Sequence, residues 1–334
     1  MTWKPTGDDL RAAQQRIKPH IFTTPLLRAE ELERDGRRVF LKPENLQKTG
    51  SFKVRGAFNA ITSLEPEARA RGVIAFSSGN HGAAVAYASR DLGIKETGAP
   101  YPCTVVVPED ANPVKLASME KLGAEIVTCG HTVDERKAKA YELGESSGRA
   151  VLPSYDDARI ITGQGTIGLE VMDQWMAIPT KTRKLYAVAC PVGGGGLMAG
   201  TSAALRARGF SGTILGVEPE VGNDTQQSFA AGQRVAIDLP ATLCDGLKST
   251  TPGELTFPIL QQCIQGIVTV SDAAVVSALN YLMREMKILV EPSGAVAVAA
   301  WQSGAILSDP DDPGDVILIV SGGNVDPEVA LSWK

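Results

Sequence analysis

From residue 73 the chain alternates short apolar runs with helical patterns, and this rhythm restricts the fold more than any other feature of the sequence. VIAFSS (73–78) is followed by GNHG and by AAVAYASRDLG, which reads as a helix closed by a glycine. CTVVVP (103–108), the helix VKLASMEKLG, AEIVTC (124–129), the helix VDERKAKAYELG and then AVLPSY continue the series. Uninterrupted apolar runs of about 4–8 residues between helices describe strands buried on both faces, hence βαβ units in a parallel sheet. The pattern breaks at SYDDARIITGQG and restarts with LYAVACPV (185–192), a glycine turn, the helix LMAGTSAALRARG and TILGVEPE (213–220). DAAVVSALNYLMREM reads as an amphipathic helix, and VILIVSGGN (316–324) as a last strand ending in glycines. The expected fold is α/β, with two open, twisted, mostly parallel sheets covered by helices. A small domain (51–149) is inserted in a large one (1–50 and 150–334).

Composition excludes several functional classes. The formal net charge is −5 and the pI about 5.4, so no basic surface points to nucleic acid. The first residues, MTWKPTGDDLRAAQQRI, hold no apolar secretory core, and no stretch reaches the roughly 18 uncharged apolar residues of a membrane span. Cysteines at 103, 129, 190, 244 and 263 are scattered and never spaced C-x-x-C, which reads as reduced thiols of a cytoplasmic enzyme. The three histidines, at 20, 81 and 131, are too dispersed for a histidine-based metal centre.

Two stretches carry chemistry. PVGGGGLMAG (191–200) ends a strand and opens a helix, and backbone N–H groups of such a turn form a phosphate site. Gly194-x-Gly196-x-x-Ala199 with Glu218 ending the next strand satisfies a dinucleotide-binding pattern, so a nicotinamide oxidoreductase reading stays open locally. That reading leaves TGSFKVRGAF (49–58) unexplained. A pyridoxal phosphate reading explains both: Lys53 supplies the amine for the Schiff base and Phe52 an apolar face for the ring. Asn80 partners the phenolic oxygen and Ser321 the ring nitrogen.

With these residues in view, the chain resembles the fold-type II pyridoxal-phosphate enzymes, and within them the serine racemase / serine–threonine dehydratase group. The resemblance rests on PENLQKTGSFKVRGAFNA (43–60), SSGNHG (77–82), ITGQGT (161–166), PVGGGGLMAG, CDGLK (244–248), VEPSG (290–294) and SGGNVD (321–326), in family order along nearly the whole chain. It implies that Lys53 is both the Schiff-base lysine and an acid/base group, with Phe52 behind the ring. Gly193, Gly194, Gly195, Gly196 and Leu197 form the phosphate cup. Ser77, Ser78, Gly79, Asn80 and His81 face the substrate carboxylate, with Arg136 a further candidate. Ser78 matches the serine that, in racemases, acts on the opposite face of the α-carbon. A serine at the ring nitrogen gives a weaker electron sink than a carboxylate partner, which favours loss of a β-hydroxyl as water.

The implied activity is therefore a dehydratase (ammonia-lyase) of L-β-hydroxy amino acids. The competing reading is an amino-acid racemase using Lys53 and Ser78. The resemblance further implies a Mg²⁺ or Ca²⁺ site at Glu218, the Gly222 carbonyl and Asp224, and a homodimer acting on a small amino acid. Departures from the family pattern are Ala83 where relatives carry glutamine, and a longer GIKETGAPYPC (93–103) link. Both leave room for 3-hydroxyaspartate or a β-aryl serine beside serine and threonine. The chain ends at Lys334 without the regulatory domain of biosynthetic threonine dehydratases, so feedback control of that type is not expected.

Overall fold

The computed structural model describes residues 3–179, 184–306 and 314–333. Ten strands fall into two sheets. The strands are β1 (Leu27–Arg28), β2 (Val39–Pro43), β3 (Val73–Ala75), β4 (Cys103–Val107), β5 (Glu125–Thr128), β6 (Ala150–Val151), β7 (Leu185–Pro191), β8 (Thr213–Pro219), β9 (Gly266–Val270) and β10 (Asp315–Val320). The larger sheet runs β1-β2-β10-β7-β8-β9, all parallel except β1. The smaller runs β5-β4-β3-β6, all parallel. Its strands lie between β2 and β7 in the chain and reach Val151, two residues past the expected limit at 149.

Alternation along the central strands explains why both faces are covered. On β10, Val316, Leu318 and Val320 enter one apolar cluster with the helix Pro292–Gln302, while Ile317 and Ile319 enter another with the helix Gly196–Ala207. β2 departs from the apolar pattern. Lys42 on this strand is fully buried and donates to Glu170 Oε2 at 2.7 Å. Arg55, also fully buried, bridges Glu44 and Glu170. Buried charges persist only when paired in this way.

Two expectations are corrected. The helix after GNHG does not close at Gly93. It runs Asn80–Thr97 and ends at Gly98, which is left-handed (φ 83°). Gly93 is there because a Cβ would fall 2.2 Å from the Tyr101 nitrogen. The longer link is thus partly an extra turn of helix. The stretch ARIITGQGT is also no break in the pattern, since it begins the 19-residue helix Ala158–Met176. Its glycines admit neighbouring backbones: a Cβ on Gly163 would lie 2.7 Å from Gly56 Cα, and one on Gly168 2.6 Å from the Thr201 carbonyl.

Candidate active site

The site forms where the two sheets meet. Lys53 opens the helix Lys53–Thr62, and the three residues before it are stitched to the end of β10. Phe52 N–H donates to the Ser321 carbonyl at 3.1 Å, Gly323 N–H to the Gly50 carbonyl at 2.9 Å, and Ser51 bridges Gly322. Lys53 and Ser321, far apart in sequence, are thereby neighbouring segments. The Lys53 Nζ donates to the Ser154 carbonyl at 2.7 Å and lies 5.1 Å from the centre of the Phe52 ring. Burial pushes this amine down to about 8, against the opposing pull of Glu291. A lysine near that value has an appreciable neutral, nucleophilic fraction at physiological pH.

Ser77, Ser78 and Gly79 form the turn leading from β3 into the helix Asn80–Thr97. No side chain caps this helix start, so its first N–H groups are available to an anion. A Cβ on Gly79 would meet nothing within 4 Å, so the turn faces open space there. His81 is buried, with Nε2 2.8 Å from the Leu152 carbonyl. A carbonyl only accepts, so Nε2 carries the hydrogen and Nδ1 is left as a buried lone pair without a partner. Burial, then the Lys53 charge, push His81 down to about 3, so the ring is neutral. His81 can therefore offer a carboxylate its backbone N–H and not a ring N–H. The Ser78 hydroxyl makes no hydrogen bond among the described residues.

The glycine run matches the expected turn with a difference in what each glycine does. Gly195 adopts φ 92° and precedes the helix Gly196–Ala207, whose start again has no side-chain cap. Gly194 and Gly196 are small for another reason. A Cβ on Gly194 would fall 2.4 Å from the Tyr155 ring, and one on Gly196 2.9 Å from Tyr155 Cβ. Tyr155 thus lies along the cradle. Thr256 Oγ1 donates to the Gly194 carbonyl at 2.7 Å, and Asp156 accepts from the backbone N–H groups of Glu254 and Leu255. Gly193 lies against Gly246 and Leu247 of the CDGLK stretch, and Leu197 is buried. Ser321 is buried, with its hydroxyl 3.4 Å from the Ser293 carbonyl.

Glu218 and Asp224 are both buried. Glu218 accepts from the N–H groups of Thr225 (3.1 Å) and Gln226 (2.9 Å), while Asp224 Oδ2 has no partner. Burial raises both carboxyls, and the Asp224 charge raises Glu218 further. Carboxylate oxygens of this kind suit a hard cation chemically. Among the described residues, no three His, Cys, Asp or Glu side chains gather for a metal. Arg136 is not joined to the Lys53 cluster by any hydrogen bond. It donates to the His131 carbonyl at 3.1 Å, and its Nε is buried without a partner.

The composition of this seam (a half-buried lysine amine, an uncapped glycine cradle and a buried serine) agrees with the family comparison, which matches pyridoxal-phosphate dependent enzymes over residues 17–322. The chain belongs to this family. It is a fold-type II pyridoxal-phosphate dependent enzyme, 39% identical to an L-threo-3-hydroxyaspartate ammonia-lyase of Saccharomyces cerevisiae, with 96% of this chain and 94% of the relative covered. A serine racemase of Schizosaccharomyces pombe is 37% identical, with 97% and 95% covered. Among solved structures, the T.th. threonine deaminase superposes with TM-score 0.86 at 41% identity, covering 96% of this chain and 99% of that one. Maize serine racemase superposes with TM-score 0.90 at 32% identity, covering 98% and 96%.

Sequence reasoning missed Ser154, Tyr155, Glu291 and Asn324. The last two stand in stretches that carry the resemblance, VEPSG and SGGNVD, but only geometry shows that Asn80 Nδ2 donates to Glu291 and that Asn80 Oδ1 accepts from Asn324.

Proposed function

We propose that this enzyme is an ammonia-lyase of L-β-hydroxy amino acids, releasing a 2-oxo acid and ammonia by α,β-elimination. The observation that carries this reading is the Lys53 amine, pushed down to about 8 and held at the Ser154 carbonyl on the seam that also holds the glycine cradle and Ser321. The residues fit pyridoxal phosphate. The uncapped N–H groups at Gly195–Leu197 would hold its phosphate, Phe52 would offer an apolar face to its ring, Asn80 would donate to the ring oxygen and Ser321 would meet the ring nitrogen with a neutral hydroxyl. When bound, the cofactor supplies the electron withdrawal that makes the α-proton of an amino acid removable. Lys53 in its neutral form takes that proton. The helix start at Asn80 and His81 binds the substrate carboxylate through backbone N–H groups, and neutral His81 adds no competing charge. The smaller sheet, which carries this turn, closes over the substrate and excludes water.

3-Hydroxyaspartate is the first substrate to try, because relatives named for it share 39% identity with this chain. The purified protein should be yellow and Lys53→Ala colourless. Oxo-acid release is to be followed with L-threo-3-hydroxyaspartate, L-serine, L-threonine and L-phenylserine. Release from none of them would overturn the proposal. A racemase is the second reading, favoured by the unengaged Ser78 hydroxyl and by the relatives named serine racemase. Glu218, the Gly222 carbonyl and Asp224 hold Mg²⁺ or Ca²⁺ in this reading, the partnerless Asp224 Oδ2 supporting it. The protein acts as a homodimer, and its five free thiols accord with a cytoplasmic setting. Among the described residues no helix is long and apolar enough to cross a membrane.

A further inference from the structure

Thr49 is a β-branched residue in the left-handed region (φ 60°), followed by Gly50 at φ 71°. Side chains such as threonine rarely adopt this conformation, and it clusters where the surroundings require a particular backbone direction. Here the turn aims the Thr49 carbonyl at Asn324, whose Nδ2 donates to it at 2.7 Å. Gly50 is needed at the same spot, since a Cβ would fall 2.3 Å from Asn324 Oδ1.

The consequence passes along a chain of side chains. A carbonyl only accepts, so the Asn324 atom facing Thr49 is its nitrogen. That nitrogen also faces Asn80 at 2.8 Å, so Asn80 presents its oxygen there. The Asn80 nitrogen is thereby turned to Glu291 Oε1, which accepts at 2.8 Å. Glu291 is held in turn: its N–H donates to the Gly322 carbonyl at 3.1 Å, and a Cβ on Gly322 would lie 2.5 Å from its Oε1. An asparagine amide has two nearly isosteric orientations, and only one of them gives the site a donor. Glu291 takes one hydrogen of the Asn80 amide, and the second remains.

We propose that Asn324 is a positioning residue. By reading the direction of the Thr49 carbonyl, it fixes the Asn80 amide so that Asn80 acts only as a donor toward the ring oxygen of pyridoxal phosphate. This rests on the cofactor reading above and extends it to residues that do not touch the cofactor.

Asn324→Asp tests it. A carboxylate at this position offers Thr49 no donor and demands one from Asn80, so the Asn80 amide turns over. The expected result is a visible absorption band of bound pyridoxal phosphate displaced from wild type, with a dissociation constant about tenfold weaker, the order of one lost hydrogen bond to a charged group. Adding Glu291→Gln supplies a donor for the turned Asn80 oxygen. The double variant should recover most of the melting temperature lost by the cofactor-free single variant, while the band stays displaced. A merely structural role predicts that stability and spectrum recover together, and that outcome overturns the proposal. So does a wild-type band in Asn324→Asp. If that variant does not fold, Asn324→Ser removes the lock without adding charge, and a wild-type band and affinity there also overturn the proposal. A wild-type protein that takes up no pyridoxal phosphate fails the cofactor reading itself. The two failures are told apart because the second is seen before any substitution is made.

Discussion

Lys53 Nζ and the Ser154 carbonyl oxygen are 2.7 Å apart, and this contact ties the amine to the segment that leads out of the smaller sheet. Burial is the larger influence on the amine, Glu291 the smaller. Its folded value near 8 lies below the ordinary 10.5. Capture of pyridoxal phosphate requires the neutral amine. The rate of growth of the visible band in cofactor-free protein should therefore rise with pH, pass half its maximum near 8 and level above it. Between about 8 and 10.5 the unfolded chain binds the proton that the folded chain has lost, so cofactor-free protein gains stability as pH rises through that window. Lys53→Met should lose this part of the pH dependence, as measured by thermal melts. By the same linkage His81, pushed down to about 3, should add stability as pH rises from about 3 to 6.5, while the rate of cofactor capture shows no inflection from it near 6.5.

The stacking of Tyr155 on the cradle makes a prediction separable from phosphate binding. Gly194→Ala places a methyl where the Tyr155 ring lies and should cost about 1–3 kcal/mol of stability, with weakened cofactor binding. Combining it with Tyr155→Ala should return most of the stability. If the double variant is no more stable than Gly194→Ala alone, the ring is not what keeps residue 194 small.

Adding Mg²⁺ or Ca²⁺ should raise the melting temperature by several degrees, as expected for a ligand bound only by the folded state. Glu218→Gln and Asp224→Asn should each abolish that rise. An equal rise in all three proteins would place the cation elsewhere.

Ser78→Ala separates the two reactions. Interconversion of serine enantiomers, if present, should fall by roughly 10²–10⁴-fold, the usual worth of a positioned acid/base group. Oxo-acid release from the L-enantiomer should change only a few-fold. Both can be followed by chiral chromatography in one sample.

The buried ionic cluster sets the last prediction. Arg55→Met leaves Glu44 and Glu170 facing one another without their shared cation, and should destabilise by about 3–5 kcal/mol in thermal or urea unfolding.

Much of this architecture was legible in the residues. Strands β3, β4, β7, β8 and β10 announce themselves because burial on both faces demands continuous apolar runs, whereas β5, at the edge of its sheet, is apolar only at Ile126 and Val127 and is partly exposed throughout. β2 does not, since Lys42 near its end is buried with its ammonium held by Glu170, Gln174 and the Thr24 carbonyl, partners distant in sequence. The helix Ala158–Met176 is obscured by Gly163, Gly165 and Gly168, poor helix formers retained for close packing. In the candidate site, Lys53, the glycine run and Ser321 are picked out by residue type and motif. Tyr155 and Asn324 do not, because their parts depend on directions of approach that no local pattern records.

The stretch from Leu152 to Tyr155 has a consequence of its own. Leu152 holds the His81 ring, Ser154 the Lys53 amine, and Tyr155 covers the cradle, while the residue just before them, Val151, is the last of β6. Three of these four residues, Leu152, Ser154 and Tyr155, thus contact the His81 ring, the Lys53 amine and the glycine cradle from one short backbone segment. In the proposed function, any displacement of this segment would bear on the base, the carboxylate-binding turn and the anion seat together, so the three would be tuned as one set, like a gear train.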